Sequence, residues 1–180
     1  MALTATIYQF DIDLADADRG VYETLSLRVA RHPSESEDFL WTRLLAYALE
    51  YAEGIEFSRG GLSDPDAPAI TVHDLTGVIR SWIEVGTPDA PRIHRAAKAA
   101  PRVAVYVHKE PTQFLARLEG EKIHQGAAVE IWSVERALLT ALADQLDRRV
   151  AFSLSVHDRE LFLAFAANSL QGQVTRHHIR

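Results

Sequence analysis

The residues whose types and spacing could do chemistry lie mostly in one stretch, Ser63 to Gly86, SDPDAPAITVHDLTGVIRSWIEVG, which carries Asp64, Asp66, Asp74 and Glu84. Hard divalent cations such as Mg²⁺ or Mn²⁺ take oxygen ligands, usually one or two carboxylates completed by water. A metal held in this way polarises a phosphate and lowers the pKa of its bound water. The chemistry such a set points to is the binding of a divalent cation. Cations follow closely in Arg92, Arg95, Lys98 and Arg102, and Arg59 precedes the pair Gly60-Gly61. Arg59, Arg92, Arg95, Lys98 and Arg102 are the candidates for tracking a phosphate backbone. The competing reading of residues 91–102 is a solvated helix face whose cations favour its C-terminal half.

Which acids meet depends on the strands that carry them. Ile70 and Val72, then Val78 to Val85, read as two strands around the turn Asp74-Leu75-Thr76-Gly77. Asp at the first turn position and Gly at the fourth suit a type I turn followed by a left-handed residue. If Asp74 pairs with Val78, Glu84 falls opposite Pro68, and Asp66 shares its face one diagonal step away. Asp74 then caps its own backbone at the turn, roughly 20 Å along the ladder at strand rise. Pro65 and Pro68 argue against regular pairing near them. Glu84 shares its face with Trp82 and Arg80, so it is either a pocket acid or a solvated partner of Arg80.

The remaining elements follow from periodicity. Ala5 to Asp13 and Tyr22 to Ala30 alternate as a hairpin around the turn Ala15 to Gly20. Ser34 and Glu37 have capping-box spacing, Phe39, Leu40, Leu44, Tyr47, Ala48 and Tyr51 recur at helical intervals, and Gly54 closes the segment. This predicts a helix over Glu35 to Glu53. Asp89 or Thr87 caps a second helix that tolerates Pro91 and runs to about Ala99. Val103 to Val107 reads as a strand buried on both faces, Pro111 to Leu118 as a helix, Ala127 to Val134 as a strand and Glu135 to Leu146 as a helix. Val150 to Val156 and Leu161 to Phe165 form a closing hairpin around His157-Asp158-Arg159, and the tail from Asn168 is expected to fray. The order β-β-α-β-β-α-β-α-β-α-β-β makes an α/β fold, a mixed sheet covered by helices, in one domain over residues 1–180.

Composition removes several function classes. The 180 residues contain no cysteine, which excludes disulfides, thiolate zinc sites and cysteine nucleophiles. The start MALTATIYQFDIDLADAD has neither the basic nor the apolar region of a signal peptide, and no apolar run reaches the ~18 residues of a membrane span. A cytoplasmic protein with no membrane partner is expected. A net charge of −6 argues against a global nucleic-acid footprint. Neither GxxxxGK[ST] nor GxGxxG occurs, so no nucleotide cofactor is expected. His32 is read as fixing the start of the long helix, His157-Asp158 as a turn and His177-His178 as tail residues.

The segments HPSE (His32–Glu35), FSRG (Phe57–Gly60), DLTG (Asp74–Gly77), WIEVG (Trp82–Gly86) and Pro88-Asp89, with the opening MALTATIY, resemble the YaeQ family of bacterial proteins over most of the chain. The resemblance implies a compact variation of the restriction-endonuclease-like, PD-(D/E)XK core, here with β-hairpins added at both ends. On it, Glu84 matches the acid of (D/E)XK. Asp66 in Pro65-Asp66 matches PD, with Asp74 as the rival, and Glu35 matches a helix carboxylate. The lysine expected two residues after Glu84 is Gly86. Arg92, Arg95 or Lys98 would have to reach back as a displaced cation. Arginine stays protonated and cannot act as a general base, although it stabilises negative charge at phosphorus. Two functions follow from this resemblance. One is a Mg²⁺- or Mn²⁺-dependent nuclease with Glu84, Asp66 and Asp74 on the metal and Glu35, Arg92 and Lys98 assisting. The other is a non-enzymatic regulatory module on the same scaffold, binding protein or nucleic acid.

Overall fold

The computed structural model describes residues 4–59, 64 and 66–180. Gly60-Gly61, Ser63, Pro65 and the first three residues of the opening motif lie outside the described residues. In chain order the elements are β1 (Thr6–Asp16), β2 (Val21–Arg31), α1 (Glu37–Leu49), β3 (Ile55–Phe57), β4 (Ile70–His73) and β5 (Ile79–Val85). They continue as α2 (Ala90–Ala99), β6 (Arg102–Val107), α3 (Thr112–Leu118), β7 (Glu130–Val134), α4 (Arg136–Ala143), β8 (Arg149–His157), β9 (Glu160–Ala164) and β10 (Ser169–His177). The chain forms two compact units, Met1–Trp41 with Val134–Val174, and Thr42–Ser133 with Thr175–Arg180. Among the described residues no helix is long and apolar enough to cross a membrane.

In the first unit β1 and β2 form a continuous antiparallel ladder from Thr6↔Arg31 to Asp16↔Val21. Phe10, Ile12 and Leu14 alternate inward and are buried, and one buried face pins the register, because a one-residue slip would turn all three outward. The other edge of β1 pairs parallel with β8, Gln9↔Arg149 to Asp16↔Val156. Strands β8, β9 and β10 continue antiparallel. The expected β8–β9 hairpin is present. Asp158 and Arg159 take positive φ of 49° and 61°, the two left-handed residues of a tight hairpin turn. Asp18 holds that turn by accepting both backbone N–H groups, at 2.7 and 2.8 Å. The tail expected to fray is strand β10. Its Leu170, Gly172 and Val174 alternate inward, a pattern hidden by the polar residues between them.

The second unit carries β3 to β7 in one sheet, antiparallel from β3 to β5 and parallel from β5 to β7. Val103, Val105 and Val107 of β6 bury one face against Ile93 and Ala96 of α2 and Phe114 and Leu118 of α3. Helix α1 starts two residues later than expected, because Ser36 and not Ser34 accepts the Phe39 N–H, at 3.1 Å. Its residues 40–49 are all buried; most are apolar, with Thr42 and Arg43 buried among them. Gly54 ends the segment at φ +88°.

Candidate functional site

Glu84 stands on β5 with Trp82, two residues back on the same face. The face is that of α2, since Val85, aligned with Tyr106, and Ile83, aligned with Ala104, point to the other. Its side chain is 5% exposed. A carboxylate so placed needs partners, and it has them: Oε1 accepts Trp82 Nε1 at 2.8 Å and Arg92 Nε at 2.8 Å. Arg92 is brought there by the start of α2. Asp89 is the N-cap and its Oδ1 accepts the Arg92 N–H at 2.8 Å, while Pro91 occupies the first turn. The Arg92 guanidinium also donates through Nη2 to the Ala67 carbonyl at 2.8 Å. Arg92 thus reaches back to Glu84, and it is held there by bonds to three segments of the fold.

The partner sought for Glu84 was Asp66, and the ladder does not extend to it. His73 pairs with Ile79 in the expected register, but a bulge between Val72 and His73 shifts the rest by one, so that Ile70 meets Ile83. The expected pairing of Glu84 with Pro68 is therefore lost, along with the face shared with Asp66. Asp66 is exposed in a turn, its N–H bonded to Asp64 Oδ1 at 3.0 Å. Asp74 serves the β4–β5 turn. Its Oδ1 accepts Thr76 N, Thr76 Oγ1 and Val78 N, and its Oδ2 accepts Arg80 Nε at 2.8 Å and pairs with Arg80 Nη2 at 2.6 Å. The Thr76 hydroxyl above all, then the Val78 N–H and Arg80, hold its carboxyl well below the usual range. Arg80 therefore belongs to Asp74 and not to Glu84.

Glu35 lies ahead of α1 and not within it, in the first unit, where its N–H bonds the His32 carbonyl and its own carbonyl accepts Arg31 Nε. His32 Nδ1 lies 2.6 Å from Ser34 Oγ and accepts the Ser34 N–H, fixing the approach to the helix. Arg59, Arg95 and Lys98 are exposed. Among the described residues no three His, Cys, Asp or Glu side chains are placed to hold a metal ion. The donor set does not suit Mg²⁺ or Mn²⁺: Glu84 is neutralised by Arg92, Asp74 has both oxygens committed, and Asp66 stands in solvent.

Arg102, expected on a phosphate track, is instead clamped between two acids on the opposite face of the same sheet. It donates to Glu50 at 2.5 and 3.1 Å and to Glu130 at 3.0 and 2.6 Å. Tyr106 adds its hydroxyl to Glu50 at 2.7 Å, and Trp132 its indole N–H to Glu130 at 3.2 Å. Burial opposes the charge on Arg102, but the two carboxylates outweigh it and hold the guanidinium pKa above its ordinary value. Burial likewise pushes Glu130 up, and Arg102 and Trp132 bring it below the usual range. Sequence reasoning missed this cluster. The available signal was Glu130-x-Trp132, which mirrors Trp82-x-Glu84: in both, an indole and a carboxylate two apart on a strand share one face.

The family model described as YaeQ protein matches residues 1–174. The chain belongs to the YaeQ family. It is 34% identical over 177 residues to the uncharacterized protein YaeQ of Escherichia coli K12, covering 97% of each chain. It is 33% identical over 176 residues to that of Salmonella typhi, again over 97% of each. The crystal structure of the YaeQ protein from Pseudomonas syringae superposes with a TM-score of 0.85 at 32% identity, covering 96% of this chain and 95% of that one. The YaeQ protein from Xanthomonas axonopodis pv. citri gives 0.82 at 27% identity, over 98% and 100%. The YaeQ fold is thus a mixed α/β fold.

Proposed function

We propose that this YaeQ-family chain is a non-enzymatic binding module on a restriction-endonuclease-like scaffold, and that its partner is a protein. One observation carries the reading: the acid that a nuclease would present to a metal, Glu84, is given to Arg92 at 2.8 Å with a Trp82 indole on the same oxygen. Arg92 cannot leave without stranding a buried carboxylate and abandoning the Ala67 carbonyl. Two of the five cations considered for a phosphate track, Arg92 and Arg102, are consumed inside the fold. With a net charge of −6, a protein partner is favoured over nucleic acid.

The test is titration calorimetry of the purified protein with Mn²⁺, run beside cleavage assays on DNA and RNA. The expected outcome is no saturable heat and no cleavage in the wild type. Micromolar Mn²⁺ binding that Glu84→Gln abolishes, accompanied by cleavage, would overturn the proposal in favour of a metal-dependent phosphodiesterase. One feature favours that second reading. Arg92 lies beside Glu84, and in a nuclease-like site a cation there would stabilise charge at phosphorus.

A further inference from the structure

Strand β2 ends its sheet: β1 pairs with one edge, and among the described residues no strand pairs with the other. Gln9 N donates to the Arg148 carbonyl, so the odd-numbered residues of β1 bond β8 and the even-numbered ones bond β2. Phe10 aligns with Leu27. The odd-numbered amides of β2 are therefore committed to β1, and the even-numbered ones, from Tyr22 to Ala30, face the open edge. Among the described residues the backbone N–H and C=O groups of Tyr22, Thr24, Ser26 and Arg28 find no partner there. Such an edge is a template for another strand, and proteins guard theirs with short strands, prolines, bulges or charge. Eleven residues long, β2 has no proline, and its ladder has no bulge. Its guard is Arg28, which is exposed and makes no ion pair among the described residues. On the same face Asp11 and Asp13 of β1 are also exposed, and their hydrogen bonds come from the neutral side chains of Gln9, Ser26 and Thr24.

We infer that β2 is a self-association edge, occupied by β2 of a second copy of this chain in antiparallel alignment. The hydrogen bonds themselves restrict the register. Outward-facing residues must oppose outward-facing residues, so even-numbered positions meet even-numbered ones, and the core faces of both copies fall on the same side. Centring on Ser26, the midpoint of β2, overlaps all eleven residues. Thr24 then opposes Arg28 of the second copy, and about six hydrogen bonds form among Thr24, Ser26 and Arg28 of the two strands. On the core face the half-buried Leu27 gains Leu25 of the second copy. On the outer face Arg28 of the second copy crosses Thr24 towards Asp13, which is aligned with Thr24. The gap is two strand spacings, roughly 10 Å between backbones, and an arginine and an aspartate side chain close it together. Two-fold symmetry repeats the contact, so both guarding arginines meet acids. A foreign strand offers that match only by chance, which makes a second copy the occupant. The pairing uses no residue of the Glu84 cluster and is independent of the binding-module reading.

The test is sedimentation velocity of the full chain over a rising concentration series, with amide hydrogen exchange read by NMR at both ends of the series. A reversible dimer is expected. The amides of Thr24, Ser26 and Arg28 should exchange fast in the dilute sample and slowly in the concentrated one, while those of Glu23, Leu25 and Leu27 are slow in both. Ser26→Pro removes an N–H that the monomer's ladder does not use, and should abolish the dimer with circular dichroism unchanged. Arg28→Glu should weaken association about tenfold or more, and adding Asp11→Lys and Asp13→Lys should restore it. If Ser26→Pro fails to fold, this charge exchange decides the matter. A chain that stays monomeric throughout would overturn the inference and leave the edge to a strand of a different protein. A dimer whose Thr24, Ser26 and Arg28 amides still exchange freely, or one indifferent to Arg28→Glu, would overturn it as well.

Discussion

Replacing Arg92 by alanine is the perturbation that most directly probes the Glu84 cluster. The carboxylate would keep only the Trp82 indole, while its side chain remains 5% exposed. Removing one partner of a buried pair costs about 3–5 kcal/mol, because the other charge is left uncompensated. Arg92 is 23% exposed, so water can follow the truncated side chain, and the lower end applies, about 3 kcal/mol. The reverse change is milder. Glu84→Gln keeps an oxygen for both donors and leaves an arginine that already reaches solvent and the Ala67 carbonyl, so about 1 kcal/mol is expected. In the Glu84→Gln background there is no buried charge to strand, and removal of Arg92 should then cost only about 1 kcal/mol, a coupling of roughly 2 kcal/mol. The assay is urea unfolding followed by tryptophan fluorescence and circular dichroism, reading midpoint shifts at unchanged slope. A cost of about 1 kcal/mol or less for Arg92→Ala, or the same cost in both backgrounds, would refute the reasoning.

Two further substitutions test the frame around the site. Gly54→Ala would combine a left-handed backbone with a Cβ placed 2.0 Å from the His73 carbonyl oxygen, and should destabilise by more than about 3 kcal/mol. Gly77→Ala has a similar φ but open space and should lose only about 1 kcal/mol; equal losses in thermal melts would show that the clash is relieved. Asp16 is fully buried, and its Oδ2 has no hydrogen-bond partner among the described residues. Burial raises its pKa above 3.8 against the opposing Arg19 N–H and charge. The native form therefore holds the proton more tightly than the unfolded chain, and stability drains away as pH climbs from about 3.8 through the raised native value. Asp16→Asn should remove that slope, so its advantage over wild type in urea midpoint should widen between about pH 4 and pH 7. A pH-independent difference would refute the assignment.

Much of the fold was legible because one buried face imposes a period. The β1–β2 alternation, the Asp89 cap and the all-apolar run of β6 each announce an element locally. What the chain conceals is non-local. The bulge opposite Val72/His73 leaves Arg80 as one extra residue on β5, just past a turn whose residue types are well chosen, and that one residue moved Asp66 off the face of Glu84. The parallel pairing of β1 with β8 joins Gln9 to Arg149, far apart in the chain, and no local pattern encodes it. At the site, the sequence offered Glu84 a choice of arginines. Arg80 was the near neighbour on the strand, but Asp74 captured it at the turn, and Arg92 was delivered instead by the helix cap. The Glu50–Arg102–Glu130 clamp was invisible for the same reason: its three members come from a helix end and two separate strands.

The β1–β8 ladder also has a bearing on how the chain comes off the ribosome. Thr42–Ser133 is contiguous and can begin to consolidate while synthesis continues. The opening hairpin, by contrast, has its parallel neighbour encoded only from Arg149 onward. Until that segment emerges, Phe10, Ile12 and Leu14 wait beside an unsatisfied row of amides, a template for pairing with another nascent chain. Separations this long slow the search for the native arrangement. Truncation before Arg149 should therefore yield aggregation from the opening hairpin, even though that hairpin is itself intact.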